Sequence, residues 1–132
     1  MHEQSWPRTP ATATSRVDLH CHTTASDGGL SPTELVARAA ALGIKVLAIT
    51  DHDTTEGVPA ALAEGQRQGV AVVPGVEISA VSGREEIHLL GYFVDPGNAE
   101  LQKLLARARE ARRERSRKML DRLAGLGLPV EW

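Results

Sequence analysis

The sequence predicts an α/β protein with a parallel sheet, because strand-like and helix-like segments alternate from residue 16 to about residue 97. Two apolar runs, at residues 44–50 and 70–75, are typical of strands that are covered on both faces. Segments with helical spacing of apolar residues come before and between these runs. This order of strand, helix, strand, helix, strand favours parallel pairing with helical crossovers.

The first strand and the first helix have distinct sequence signals. Residues 17–22 are expected to form a short strand whose side chains alternate between two faces. Ser31 is a good N-cap, Pro32 suits the first helical position, and Glu34 completes a capping box. Gly43 is expected to end this helix.

The later elements follow from the same signals. A second helix is expected to be capped by Thr54 or Thr55 and to end at Gly69. Two more strands are expected at residues 76–81 and 86–94, joined by a turn at residues 82–84. We therefore expect about five strands in all.

The chain divides into three parts. Residues 1–15 are expected to be a flexible leader, because they are rich in Pro, Thr, Ala and Ser and lack the apolar segment of a secretory signal. Residues 16–97 contain the alternating strands and helices. Residues 98–132 predict an amphipathic basic helix that is ended by Gly125 and Gly127.

Two arginines interrupt the apolar face of this last helix. Arg112 and Arg115 occupy positions where the helical spacing predicts buried residues. They could contact a substrate phosphate, since a planar guanidinium suits bidentate binding. The stronger interpretation is a solvent-facing surface in which Glu110 and Glu114 pair with arginines at helical spacing.

The composition of the chain restricts its partners. A net charge of −2 over 132 residues gives no general attraction to nucleic acid or to an anionic membrane, so we expect no stable binding of duplex nucleic acid. No apolar run approaches the ~20 residues that cross a bilayer. The single cysteine, Cys21, excludes an internal disulfide and indicates a reducing compartment, so we expect a cytoplasmic protein.

Histidine and carboxylate residues follow the predicted strands, where parallel α/β folds place their ligands. His20 and His22 lie two residues apart on one strand, so both face the same side with backbones roughly 6.6 Å apart. Each residue alone has an ordinary structural explanation, and a lone pair of this spacing is weak evidence. Their coincidence at strand ends favours a metal centre with borderline or hard ions such as Zn²⁺, Mn²⁺ or Fe²⁺. The candidate ligands are His20, His22, Asp27, His52, Glu77 and His88.

Cys21 lies between the first two candidate ligands and must point to the opposite face of the strand. We interpret it as a packed core residue, and not as a nucleophile or a metal ligand.

Four sequence runs together resemble the PHP (polymerase and histidinol phosphatase) superfamily. They are VDLHCHTTASDG at residues 17–28, LAITDHDT at 47–54, VPGVEIS at 73–79 and HLLGY at 88–92. The last run is similar to the stand-alone phosphoesterases of the superfamily that act on nucleotides. The resemblance covers roughly residues 16–126.

The resemblance implies a fold and a set of ligands. The fold would be the N-terminal part of a distorted (β/α)7 barrel, followed by the long helix as the start of a helical insertion. A complete barrel of this family holds three divalent ions. The first would be held by His20, His22 and Glu77, the second by Glu77 and His88, and the third by Asp27 and His52. Asp51 would orient a ligand or a water, and Asp53 is assigned only a helix-capping role.

The resemblance also implies a reaction. A metal-bound water would hydrolyse a phosphomonoester of a small nucleotide, such as a 3′,5′-nucleoside bisphosphate like pAp or a short oligoribonucleotide. The alternatives are a phosphatase for sugar phosphates or histidinol phosphate, and a non-catalytic structural module of a DNA polymerase.

Family members of this kind are about twice as long and supply further ligands after the region equivalent to His88. Fewer than three ions are therefore expected here, and the 132-residue piece alone is expected to bind metal without turnover. Because about five strands cannot close a barrel, self-association through an exposed strand edge is also expected.

Overall fold

The computed structural model describes residues 16–83 and 85–131, and it confirms the predicted α/β class with a long final helix. The predicted leader, Arg84 of the predicted turn and Trp132 lie outside the described residues. The described elements are β1 (Arg16–Cys21), α1 (Pro32–Ala41), β2 (Ile44–Ile49), α2 (Val58–Gln68), β3 (Ala71–Ser82), β4 (Glu85–Tyr92) and α3 (Ala99–Gly125).

The strands form one sheet in the order β1-β2-β3-β4. The first three strands pair in parallel, as predicted, and β4 pairs with β3 in antiparallel orientation. Cys21 is in register with Ile49, and Ile49 with Pro74. The segments that follow β1 and β2 therefore emerge beside the middle of β3, and this edge of the sheet carries the candidate ligands.

The prediction of two strands on either side of residues 74–75 is wrong, because β3 is continuous over 12 residues. Ala71–Pro74 pairs with β2, whereas the stretch from Gly75 to Ser82 pairs with β4. The partner changes at Gly75, where a Cβ atom would lie 2.8 Å from the carbonyl oxygen of Ile49. Glycine at this position lets β3 cross close to β2 and continue into the hairpin.

The sheet curls so that its last strand returns towards its first. The hydroxyl of Tyr92 on β4 donates a 2.9 Å hydrogen bond to the carbonyl oxygen of Leu19 on β1, although these strands lie at opposite ends of the sheet. A strongly twisted sheet brings distant strands together in this way. The result is a curled half-barrel.

Helices α1 and α2 cover the other side of the parallel strands and form the core with them. The core residues are Val36, Ala39, Leu47, Ile49, Val58, Ala61, Val70 and Val72. Cys21 packs against this cluster, as predicted. Burial raises the pKa of its thiol to about 12, so the thiol stays protonated and is not a reactive nucleophile.

The capping signals of the first helix are confirmed. The second helix ends at Gly69, as predicted, but does not begin at the predicted cap. Ser31 caps α1 and forms the predicted capping box with Glu34. The cap of α2 is Gly57, which offers no side chain to the helix, so the prediction of Thr54 or Thr55 is wrong. A Cβ atom at Gly57 would lie 3.0 Å from side-chain oxygens of neighbouring loops, which explains why a small residue stands there.

The long helix α3 begins where the sequence predicts. The side chain of Asn98 accepts a hydrogen bond from the backbone N–H of Leu101, and Leu105 is fully buried. The chain leaves the helix at Leu126 and Gly127, whose φ of 80° is in the left-handed region that glycine favours. No helix within residues 16–83 and 85–131 is both long enough and apolar enough to span a membrane.

Candidate metal centre

Glu77 lies at the centre of the predicted ligands. It stands on β3, just past the point where the strand changes partner, and it is 3% exposed. Its backbone N–H donates to the carbonyl oxygen of Asp51, and its carbonyl oxygen accepts from the N–H of Asp53. His52, between those two residues, forms an isolated parallel bridge with Glu77. The backbone thus fixes His52 directly beside the buried carboxylate.

Both oxygens of the Glu77 carboxylate face histidines. Oε2 lies 2.9 Å from Nε2 of His20 and 3.1 Å from Nε2 of His22. Oε1 lies 2.8 Å from Nδ1 of His88, which reaches it from the neighbouring strand β4. The same carboxylate therefore contributes to two separate groups of ligand atoms.

Four imidazoles line up beside this carboxylate. Ring centroids are 5.1 Å apart for His20 and His22, 4.6 Å for His22 and His52, and 5.0 Å for His52 and His88. Four protonated imidazoles at these separations would repel one another strongly. The arrangement is therefore stable with neutral rings or with bound cations between the ligands.

Asp27 lies beside the two middle histidines of the row, His22 and His52. Its Oδ1 lies 3.3 Å from Nδ1 of His22, and its Oδ2 lies 3.7 Å from Nε2 of His52. All six predicted ligands thus lie in one cluster. Within the described residues they form three groups whose ligand atoms lie within 4.8 Å of one another: His20, His22 and Glu77; His22, Asp27 and His52; and His52, Glu77 and His88.

The donor atoms fit divalent metal ions. Two ligand atoms at about 2.0–2.1 Å from a tetrahedral zinc lie roughly 3.3 Å apart, and the approaches within the cluster range from 2.8 to 3.7 Å. Nδ1 of His22 and Nδ1 of His52 are buried and have no hydrogen-bond partner. A buried ring nitrogen without a partner is costly unless it binds something else, and these two point towards carboxylate oxygens at metal-ligand spacing.

The surroundings shift the pKa values of the cluster. Burial lowers the pKa of His52 and outweighs the opposing charges of Glu77 and Asp27, so its ring is neutral and ready to bind a metal at neutral pH. Burial alone raises the pKa of Glu77, but hydrogen bonds and charges of the surrounding histidines outweigh burial and keep that pKa below its ordinary value. Hydrogen bonds to Glu86 and Glu77 raise the pKa of the more exposed His88.

Asp51 anchors the loop that carries Asp27. Its Oδ1 accepts hydrogen bonds from the backbone N–H of Thr23, at 2.6 Å, and from the hydroxyl of Ser26, at 2.7 Å. Its Oδ2 accepts from the hydroxyl of Thr23 at 2.8 Å. The carboxylate is 1% exposed. Asp51 was predicted to orient a ligand or a water, and its contacts place it behind the ligand loop, next to Asp27.

Asp53 has a larger role than the helix cap predicted from the sequence. Its carboxylate is buried and accepts hydrogen bonds from the backbone N–H of Ser79 and from Arg112 of α3. Its carbonyl oxygen accepts from Arg109. The sequence signal for this role was Arg112 itself, a charge on an otherwise apolar helix face.

A cavity of about 390 Å³ opens beside Asp27 and His52. Its walls combine the ligand loops with one face of α3, and it is lined by Ala25, Ser26, Asp27, His52, Asp53, Thr54, Glu56, Arg109, Arg112 and Arg113. Arg115 lies apart from it, next to β4, where its guanidinium contacts Glu86 at 2.9 Å. Arg109, Arg112 and Arg113 therefore give the cavity the cationic wall that a phosphate requires.

Comparisons with known proteins agree with this site. The profile of the PHP domain matches residues 18–124. The chain belongs to the PHP domain family. The 5′-3′ exoribonuclease Rnm of Salmonella typhimurium is 46% identical over 117 residues, which are 87% of this chain and 40% of the relative. The 3′,5′-nucleoside bisphosphate phosphatase of Chromobacterium violaceum is 42% identical over 114 residues, which are 86% of this chain and 40% of the relative.

A solved structure shares the fold of this PHP chain. An amidohydrolase from Chromobacterium violaceum, with bound sulfate and no metal, superposes with a TM-score of 0.80 at 41% identity, over 88% of this chain and 41% of that one. The match to a PolC-type DNA polymerase III from Oceanobacillus iheyensis is shorter, with 48% identity over 68 residues, 50% of this chain and 5% of the polymerase. The PHP chain spans about two fifths of the length of the first two relatives.

Proposed function

We propose that this PHP chain carries the metal-binding part of a phosphoesterase that hydrolyses a phosphomonoester of a small nucleotide. The observation that carries the proposal is the convergence of four histidines and Asp27 around the buried Glu77, next to a cavity walled by arginines. Two relatives that match most of this chain are named as an exoribonuclease and a nucleoside bisphosphate phosphatase, and these names support a nucleotide as the substrate class.

The residues of the chain divide the work between holding metal and holding substrate. Glu77 and the histidines hold divalent ions, for which Mn²⁺, Fe²⁺ and Zn²⁺ suit the nitrogen and oxygen donors. When bound, such ions neutralise phosphate charge and activate water for attack on phosphorus. Asp51 keeps the loop of Asp27 in place. The cationic wall of the cavity holds a second phosphate or the sugar-phosphate backbone of the substrate.

Arg113 is a better candidate for that contact than the two arginines singled out from the sequence. Arg112 is engaged with Asp53 and Ser79, Arg115 with Glu86, and Arg109 with the carbonyl oxygen of Asp53. Arg113 lines the cavity, its side chain is 61% exposed, and its ion pair is a long 3.7 Å contact to Glu110. Its charge is therefore available to an incoming anion.

Phosphate release from pAp is compared with release from ribose 5-phosphate and histidinol phosphate. This comparison, like every kinetic measurement below, uses a protein of the relatives' full length that contains this chain, supplied with Mn²⁺, because the 132-residue piece alone is expected to bind metal without turnover. Faster release from pAp, lost in a His20→Ala, His22→Ala variant, is the expected result. Preference for either of the other substrates would assign the protein to the alternative phosphatases. Metal binding without turnover of any of the three would favour a structural role of the kind that a polymerase module has, for which the shorter PolC match is the supporting observation.

Three further expectations stay predictions. They are the cytoplasmic location, the self-association through an exposed strand edge and the absence of stable binding to duplex nucleic acid. The self-association has physical support, since Val17 and Leu19 on the edge strand β1 are 52% and 43% exposed.

A further inference from the structure

Asp53 holds an unusual position directly after His52. Its φ of 52° places it in the left-handed region, which is costly for most side chains but tolerated by aspartate. The residue is 0% exposed, so its carboxylate depends entirely on protein partners. A buried charge in this backbone conformation persists only when its surroundings hold it firmly.

Every polar group of Asp53 has a partner. Its N–H donates to the carbonyl oxygen of Glu77 at 2.9 Å, and its carbonyl oxygen accepts from Arg109 at 2.6 Å. In the carboxylate, Oδ1 accepts from the N–H of Ser79 at 2.9 Å, and Oδ2 accepts from Arg112 at 3.0 Å. Arg112 also donates to the hydroxyl of Ser79. Asp53 is thus fastened on one side to the ligand strand β3 and on the other to the helix α3.

These contacts lie next to three predicted ligands. Asp53 bonds to β3 at Glu77 and at Ser79, and it is the chain neighbour of His52. His88 is the register partner of Ser79 on β4. A displacement of Asp53 would therefore move His52 and the strand segment that orients Glu77 and His88 together.

We propose that Asp53 and Arg112 form a positioning pair that couples the seating of α3 to the affinity of the metal centre. Arg112 acts through Asp53 on the ligands, so it is a positioning residue and not a phosphate contact. The inference rests on the proposed metal centre but not on the identity of the substrate. The same pair, in which Asp53 is buried and Arg112 is partly exposed, explains why an arginine interrupts the apolar face of α3.

The rival role for Arg112 makes different predictions. As a phosphate contact in the cavity, Arg112 would affect the KM for substrate and leave metal affinity unchanged. As a positioning residue, it affects metal affinity, while KM measured at saturating metal stays near that of the parent protein. The two roles therefore separate when metal binding is measured without substrate.

The test measures the Mn²⁺ dissociation constant of the protein by electron paramagnetic resonance, with unfolding temperature recorded in chelator. The variants are Arg112→Ala, Arg112→Lys and Asp53→Asn, and Arg117→Ala is the control because Arg117 is an exposed arginine of the same helix. We expect about a 10–100-fold loss of Mn²⁺ affinity in Arg112→Ala and Asp53→Asn, the size typical when the partner of a metal ligand is removed. Arg112→Lys should recover part of this loss, and Arg117→Ala should bind as the parent does.

A milder variant keeps the proposal testable if Arg112→Ala does not fold. Ser79→Ala removes the hydroxyl that accepts from Arg112 and keeps the backbone bond to Asp53, so it should weaken Mn²⁺ binding while the unfolding temperature in chelator stays close to that of the parent. Parent-like Mn²⁺ affinity in Arg112→Ala or in Ser79→Ala would overturn the proposal. Because metal is measured directly, absence of phosphatase activity in the full-length protein would contradict the proposed function and leave this test intact.

Discussion

Oε1 of Glu77 lies 2.8 Å from Nδ1 of His88, across the antiparallel pair of β3 and β4. The other oxygen of the same carboxylate faces His20, on β1, and His22, just after β1. One buried carboxylate therefore contacts histidines from the parallel part of the sheet and from the β3–β4 hairpin. The curl of the sheet brings β4 back towards β1, so that ligands from these two strands reach the same carboxylate.

The first prediction concerns metal content. Protein prepared without chelator is expected to contain at least one Mn, Fe or Zn per chain by elemental analysis. The metal should be lost in the His20→Ala, His22→Ala variant, which removes two of the three donors of the group around Oε2 of Glu77. Lys103→Ala, on the exposed surface of α3, is the control and should keep its metal. Full metal content in the histidine variant would show that these residues are not ligands.

The second prediction concerns the charge of Glu77. Glu77→Gln keeps the size of the side chain but removes the anion that two ligand groups share, so we expect bound metal to be lost, as in the histidine variant. Without metal, the substitution should alter stability little, because it also removes a buried charge. Calorimetric titration with Zn²⁺ and unfolding in chelator give the two quantities. Tight binding at parent stoichiometry would contradict the bridging role.

Local signals made the ligands and the first helix predictable from the sequence. Ser31 and Glu34 of the capping box are three residues apart in the sequence. The two-residue spacing of His20 and His22 on one strand places both on the same face. Asp27 and His88 were expected from their places in the loop after the first strand and on a later strand, and the family resemblance added only the assignment of ligands to each ion. Such short-range patterns can be recognised in a sequence because they depend only on the local backbone geometry.

Contacts between distant segments explain what the sequence did not reveal. Asp53 meets Arg112 across 59 positions of the chain, and no periodicity reports such a pair. The proline and glycine at residues 74–75 indicated a break in the strand, although the sheet uses Gly75 for a close crossing. Gly57 caps α2 because its surroundings leave no room for a side chain, which is a property of the packed loops and not of the local sequence.

The third prediction concerns the cationic cavity. Arg113→Ala should raise the KM for pAp by about 10-fold, since a hydrogen bond to a charged group contributes roughly 1.5–3 kcal/mol. It should leave the KM for a monophosphate without a second anionic group nearly unchanged. Arg117→Ala, in the same helix but not among the residues that line the cavity, is the control. The KM for pAp is measured by steady-state kinetics at saturating Mn²⁺. Equal KM values for Arg113→Ala and the parent would exclude this contact.

The fourth prediction compares two adjacent glycines of the loop that carries Asp27. A Cβ atom at Gly28 would lie 2.3 Å from the carbonyl oxygen of His22 and 2.7 Å from the backbone nitrogen of Thr23, so the backbone must move to accept it. A Cβ atom at Gly29 would meet nothing within 4 Å. We expect Gly28→Ala to displace Asp27 and to weaken Mn²⁺ binding by the group that Asp27 forms with His22 and His52.

Gly29→Ala is the matched control for this loop, because it adds the same methyl group one residue later. It should retain the Mn²⁺ stoichiometry and the unfolding temperature of the parent protein. Titration of both variants with Mn²⁺, followed by electron paramagnetic resonance, compares the number of bound ions directly. If Gly28→Ala binds as many ions as Gly29→Ala with the same affinity, then the close approach of this loop to His22 does not position Asp27 for metal.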